Sequence, residues 1–133
     1  MQSHDTSEAV EAFRLYTQAF QSLDPRAVAR HFHEPALSIT PQGVSALPTR
    51  AAVVQAYERV MADLPARGFA LTEFSPLTGR RLADDLAVVT CSAVWKTSSG
   101  ADLMRFGMSF TLRHATNEWL IVVAGIHDAD AKP

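Results

Sequence analysis

The clearest hydropathy signal in the chain runs from Leu103 to Arg113, where Met104, Phe106, Met108, Phe110 and Leu112 alternate with Arg105, Gly107, Ser109, Thr111 and Arg113. A strict period of two marks a strand with one face buried and one exposed. The buried face carries no acid, base or amide. A pocket walled by it can hold an apolar ligand but does no acid–base chemistry through that wall. Leu86 to Thr97 and Trp119 to His127 read as further strands, and so does Phe69 to Leu82, with Pro76 marking a bulge or an edge inside it. The connections Ala83-Asp84-Asp85, Ser98-Ser99-Gly100 and Ala115-Thr116-Asn117 are short and turn-rich, so the four segments are sequential hairpins.

Before Phe69 the period changes. Val10, Phe13, Tyr16 or Thr17, Phe20 and Leu23 recur at helical spacing, and Asp5 with Glu8 has capping-box spacing, which predicts a helix from Thr6 to Ser22. Asp24-Pro25 starts a second helix, with Asp24 as N-cap and Pro25 at its first position. It should end between His31 and His33, because Pro35 disfavours helix at the residue before it. Ala36 to Thr40 reads as a short strand, and Pro41, Gly43 and Pro48 as a loop. Thr49 caps a third helix with an apolar face of Ala52, Val53, Ala56, Tyr57, Val60, Met61 and Leu64, stopped by Pro65 and Gly68.

Helices followed by a meander of long strands predict an α+β layer, a curved sheet wrapped around three N-terminal helices. Residues 1–133 are expected to form a single domain with a loose tail from Ala129 to Pro133. A formal net charge of −2 supplies no footprint for nucleic acid or an anionic membrane. Neither a basic leader followed by an apolar stretch nor a run of membrane-spanning length is visible, and Cys91 is the sole cysteine, so the expected compartment is the cytoplasm. Cys91, set between Thr90 and Ser92, reads as a small buried hydrophobe rather than a nucleophile.

The order helix, helix, short strand, helix, four long strands resembles the nuclear transport factor 2-like superfamily, with its cystatin-like α+β cone. Leu23-Asp24-Pro25 through Phe32-His33-Glu34-Pro35-Ala36 resembles that family's turn into its first strand, and Glu118-Trp119-Leu120-Ile121-Val122 the start of its last. The resemblance implies a pocket inside the cone. It also admits several chemistries, among them ketosteroid isomerases, SnoaL-like cyclases, dehydratases and epoxide hydrolases. Against the isomerases, Tyr16 and Tyr57 stand where two hydrogen-bonded tyrosines are implied. Thr40, before Pro41, stands at the place of the catalytic aspartate, and Met108 at that of the oxyanion-binding acid. A hydroxyl without a neighbouring base does not abstract a carbon-bound proton, and a thioether donates no hydrogen bond, so ketosteroid isomerase activity is rejected. An arginine-centred epoxide-opening site is disfavoured too, because Arg105 faces away from Met104 and Phe106.

The resemblance draws attention to His127 and Asp128, at the end of the last strand, where cyclases and dehydratases carry acid–base residues. Counting from the isomerase comparison puts Leu120, Val122, Ala124, Ile126 and Asp128 inside, and a bulge at Gly125 would exchange Asp128 for His127. A strand end at the solvent rim is the more ordinary reading of both. His31 and His33 flank Phe32 at a helix end, where the helix dipole accounts for them. Residues two apart share no helix face, no histidine–carboxylate set has ligand spacing, and neither metal nor cofactor is expected. Trp95 shares a face with Val89, Cys91 and Ala93 and either floors the pocket or fills the core.

The leading expectation is a binding protein for a small apolar or aromatic molecule, with no assigned reaction. Its expected ligand contacts are Tyr16, Phe20, Phe32 and Thr40, together with Tyr57, Trp95, Phe106 and Met108. The alternative reading of the tyrosines is that they only satisfy each other, as buried hydroxyls must. The alternative is a lyase, isomerase or cyclase using His127 or Asp128 as acid–base group with Tyr16. A third is a non-catalytic interaction module. The semi-polar outer faces, with Val88, Thr90, Ser92, Val94 and Lys96 beside Arg105, Gly107, Ser109 and Thr111, are low in charge at their centre and predict a homodimer through the outer sheet.

Overall fold

A computed structural model describes residues 7–129. Asp5 of the expected capping box, and the tail beyond Ala129, lie outside them. The elements are α1 (Ser7–Gln21), α2 (Pro25–Ala29), β1 (Phe32–Thr40), β2 (Gly43–Leu47), α3 (Arg50–Met61), β3 (Phe69–Phe74), β4 (Thr78–Ala83), β5 (Leu86–Thr97), β6 (Asp102–Ala115) and β7 (Glu118–His127). The two caps are made as the sequence predicts. The Asp24 carboxylate accepts from the Arg26 N–H at 3.0 Å, and Thr49 Oγ1 accepts from the Ala52 N–H at 3.2 Å.

The strands form one mixed seven-stranded sheet in the order β2-β1-β7-β6-β5-β3, with β4 also on β5. All neighbours are antiparallel except β1 and β7, which run parallel. β3 and β4 share one edge of β5: β3 pairs with Ala93–Thr97 and β4 with Leu86–Thr90. Pro76 therefore sits in the break between two strands, rather than within a single bulged one.

Three local expectations are corrected. α2 ends at Ala29, so His33 lies in β1 and not at a helix terminus. Its ring is held in the strand, Nδ1–H donating to the Pro35 carbonyl at 2.9 Å and Nε2 accepting from Arg113 at 3.1 Å. β1 begins at Phe32 rather than Ala36, because Phe32 already pairs with Ile121 of β7. The stretch read as a loop after Pro41 is a strand, since Gly43 to Leu47 folds back on Ala36 to Thr40 and finds its backbone partners there.

The helices cover one face of the sheet. Phe13 of α1 meets Phe110 edge-on at 5.1 Å between centroids, and Phe13, Phe32, Phe110, Leu112 and Ile121 are buried to within 1% of full exclusion from solvent. On β6 the alternation is realised: Phe106, Met108, Phe110 and Leu112 are buried, while Met104 emerges at the sheet's end with 40% exposure. On β7 the alternation is interrupted. Leu112 pairs with Ile121 but Thr111 pairs with Val123, so one extra residue, Val122, is accommodated there. Trp119 and Ile121 therefore join the core before the bulge, in place of Leu120 and Val122; Ala124 and Ile126 follow on the core side after it. The bulge lies upstream of the Gly125 position considered from sequence.

Candidate functional site

Between α1, α3 and the inner face of the sheet lies a cavity of about 260 Å³. Its buried end is formed by Tyr16, 3% exposed, whose ring touches those of Phe13, Phe32 and Phe110. Its open end carries Phe74, Met104 and Val60, which are 37%, 40% and 43% exposed. Helical spacing brings Tyr16 and Phe20 of α1 onto the face turned to the sheet, and Tyr57 of α3 stands opposite them. Tyr16 and Tyr57 hydrogen-bond through their hydroxyls at 2.8 Å. Trp95 stacks on Phe20 at 5.9 Å and 17° and meets Phe106 edge-on at 5.3 Å.

Of the expected contacts, Tyr16, Phe20, Thr40 and Tyr57 line the cavity, as do Trp95, Phe106 and Met108. Phe32 does not. It is fully buried behind the two tyrosines, its centroid 6.1 Å from that of Tyr16 and 5.8 Å from that of Tyr57, so it braces the pair from outside the cavity. Ser38, Gln42, Thr72 and Phe74 also line the space and were not singled out from sequence. Ser38 shares strand parity with Thr40, a signal that was present. Thr72 and Phe74 depend on where β3 pairs with β5, which the sequence alone leaves open.

No Asp, Glu, Lys, Arg or His stands among the lining residues. The only weak acids in the wall are the two tyrosines, and both are held neutral. Burial pushes Tyr16 well above the ordinary tyrosine range, with the neighbouring Tyr57 adding to the effect, and burial raises Tyr57 to about 12. Cys91, on the same strand face as Trp95, is pushed up to about 11 by burial, which leaves it a poor nucleophile.

Neither His127 nor Asp128 is among the residues that line the cavity. Residue 127 pairs with Gly107 on the outer face, and the His127 ring lies over that glycine. A Cβ at Gly107 would stand 2.3 Å from His127 Cε1, so the ring occupies the space any larger residue would need. His127 Nδ1–H donates to the Asp128 carbonyl at 3.1 Å, and Nε2 is hydrogen-bonded to the Ser109 hydroxyl at 2.9 Å. Asp128 is exposed beyond the end of the strand and does not line the cavity. Arg105 is turned outward as the alternation predicts and bonds Asp102 at 3.2 Å. Among the described residues no three His, Cys, Asp or Glu side chains converge to hold a metal ion, and no helix is long and apolar enough to cross a membrane.

A profile of the family described as NTF2-like protein (DUF6841) matches residues 7–129. No curated protein matches the sequence. Among solved structures, the chain is similar to an NTF2-like protein with a cystatin-like fold from Novosphingobium aromaticivorans, at 21% identity and a TM-score of 0.78, over 96% of this chain and 84% of that one. A candidate dehydratase of the NTF2-like family from Streptomyces avermitilis superposes at TM-score 0.74 and 14% identity, over 96% and 97% of the two chains. A ketosteroid isomerase-like protein from Erwinia carotovora atroseptica does so at 0.72 and 13%, over 98% and 100%. At these identities the likeness is one of fold.

Proposed function

The chain belongs to the NTF2-like family, and from that membership and the lining of its cavity we propose that it binds a small apolar or aromatic molecule between α1, α3 and the sheet. The observation that carries this reading is a space walled by Phe20, Trp95, Phe106 and Met108 and closed by a tyrosine pair. Concave, largely apolar sites with a few polar groups are the usual form of small-molecule sites. At about 260 Å³ the cavity is just under the ~300 Å³ at which drug-sized pockets begin, which favours an occupant of one or two rings. No reaction is assigned. Thr40 and Met108 face the space without a base or acid beside them, and the one histidine on β7 is turned to the outer face.

Ligand-detected NMR against a panel of monocyclic and bicyclic aromatic compounds tests the proposal. Saturable binding is expected, and it should be lost in Ala124→Phe, which places a ring in the cavity beside Ile126. Circular dichroism and a cooperative melt verify that the variant is folded. Absence of any binder in the panel, or binding undiminished in a folded Ala124→Phe, would overturn it.

A second copy of the chain is proposed to cover the outer face of the sheet. Leu37, Ile39 and Val44 are exposed there at 39%, 42% and 66%, on the face that also carries Val123 and Thr111. Size-exclusion chromatography with light scattering should give twice the 14.5 kDa chain mass, and a species at the chain mass would exclude the dimer.

A further inference from the structure

We propose that the cavity selects an uncharged aromatic carbonyl compound over the corresponding carboxylate, with the Tyr57 hydroxyl donating the hydrogen bond to the carbonyl oxygen. This inference rests on the small-molecule reading above and adds to it the charge state and the polar handle of the occupant.

The two tyrosines share one hydrogen bond, so of their two hydroxyl protons one is committed and one is left over. Burial decides which. Tyr16 is 3% exposed and packed against the rings of Phe13, Phe32 and Phe110, and the Tyr57 oxygen is the one acceptor its hydroxyl meets. A buried O–H left without an acceptor is costly, so Tyr16 donates to Tyr57. Both tyrosines line the cavity, but Tyr57 is the less buried of the two and holds the proton that is left over, so that proton is directed to whatever lies inside. Both hydroxyls stay protonated through the neutral range because burial opposes their ionisation, so the pair remains a donor and does not become a base.

The wall sets the charge of the guest. A carboxylate entering here would shed its water, and the lining holds no Lys, Arg or His to replace it. Transfer of an unpaired ion into an apolar site is among the least favourable steps in binding. One hydroxyl proton from Tyr57, with the uncharged donors of Thr17, Ser38, Thr40, Gln42 and Thr72, brings no positive charge to an anion but suffices for a neutral acceptor. The aromatic wall of Phe20, Trp95 and Phe106 supplies edges and faces for a planar ring.

Isothermal titration or protein-detected NMR with acetophenone, ethylbenzene and benzoate on the full chain separates the claims. Acetophenone should bind at least about threefold tighter than ethylbenzene, as one neutral hydrogen bond allows, and benzoate at least about tenfold weaker than acetophenone at pH 7.5. In Tyr16→Phe the advantage of acetophenone over ethylbenzene should persist, and in the Tyr16→Phe, Tyr57→Phe double variant, which strands no hydroxyl, it should disappear, with circular dichroism and a cooperative melt verifying that both are folded. Benzoate binding as tightly as acetophenone, an acetophenone advantage that is lost in folded Tyr16→Phe, or one that survives the double variant, would overturn this inference and leave the small-molecule reading standing. Failure of both ethylbenzene and acetophenone to bind would overturn the two together.

Discussion

Replacing Gly107 and Gly125 in turn by alanine tests the outward orientation of His127, on which the absence of an acid–base group from the cavity depends. The two glycines lie diagonally across the β6–β7 ladder, Gly107 opposite His127 and Gly125 opposite Ser109, and the added methyl meets different obstacles. At Gly107 it stands 2.3 Å from His127 Cε1, the end of a side chain that can rotate away. At Gly125 it stands 2.5 Å from the backbone oxygen of Ser109, which is fixed by the ladder. For Gly107→Ala the loss is the two hydrogen bonds of the His127 ring, with Ser109 and with the Asp128 carbonyl, each about 0.5–1.5 kcal/mol, offset by about 0.5–1 kcal/mol because alanine surrenders less chain entropy than glycine. The net is a destabilisation of at most about 2.5 kcal/mol. For Gly125→Ala the strand must shift, and overpacking of about 1–3 kcal/mol outweighs the same offset. Urea denaturation followed by circular dichroism reads both from the midpoint at constant slope. The decisive comparison is Gly107→Ala in a His127→Ala background. With the ring gone, the methyl has room, and the substitution should become neutral or stabilising by up to about 1 kcal/mol. If Gly107→Ala costs the same with and without the His127 ring, the ring does not lie over Gly107 and the outward placement is wrong.

Three further outcomes are expected. Both tyrosine pKa values are raised in the folded chain, so their contribution to stability is complete below the unfolded value near 10 and is lost as pH climbs toward about 12; urea midpoints between pH 9 and 11 should fall more steeply for the natural chain than for the Tyr16→Phe, Tyr57→Phe double variant, and parallel curves would contradict the burial argument. Cys91, raised from 9.0 to about 11, carries ~100-fold less thiolate at neutral pH than an unperturbed thiol, so its reaction with a disulfide reagent should be slowed by about that factor in the folded state and restored in 6 M guanidinium, a prediction that equal rates would refute. Phe110→Ala, which removes a fully buried ring in contact with Phe13 and Tyr16, should cost about 3–5 kcal/mol in the same urea assay, and a loss below about 1 kcal/mol would mean the three rings are not packed as described.

The parts of the fold legible in the sequence were those where period, cap and turn residues agreed. Leu86 to Thr97 is a strand with the limits its hydropathy marks, and Asp24 and Thr49 cap the helices they were expected to cap. The parts that were not legible are decided by partners far away in the chain. Pro35 correctly forbids helix before it, but the helix had already ended at Ala29, and what Phe32 does instead is set by pairing with Ile121. Gly43 to Leu47 has too little hydrophobic alternation to announce a strand and becomes one because β1 offers an edge. The cavity shows the same division. Met108 and Phe106 follow from alternation within one strand, and Tyr16 and Tyr57 from a family resemblance. The inward set on β7 could not be read through, because the accommodated Val122 lies in an unbroken apolar run, Leu120-Ile121-Val122-Val123, with no glycine or polar residue to mark it.

The wall of the cavity, free of carboxylates, amines and imidazoles, has a thermodynamic consequence for the proposed binding of a small molecule. Proton uptake and ligand uptake are linked only through groups whose ionisation differs between the empty and occupied states. With two tyrosines neutral far beyond the physiological range as the sole titratable wall groups, occupancy neither takes up nor releases protons from the wall. Acidification would therefore not act through the wall to release a neutral guest of the kind proposed.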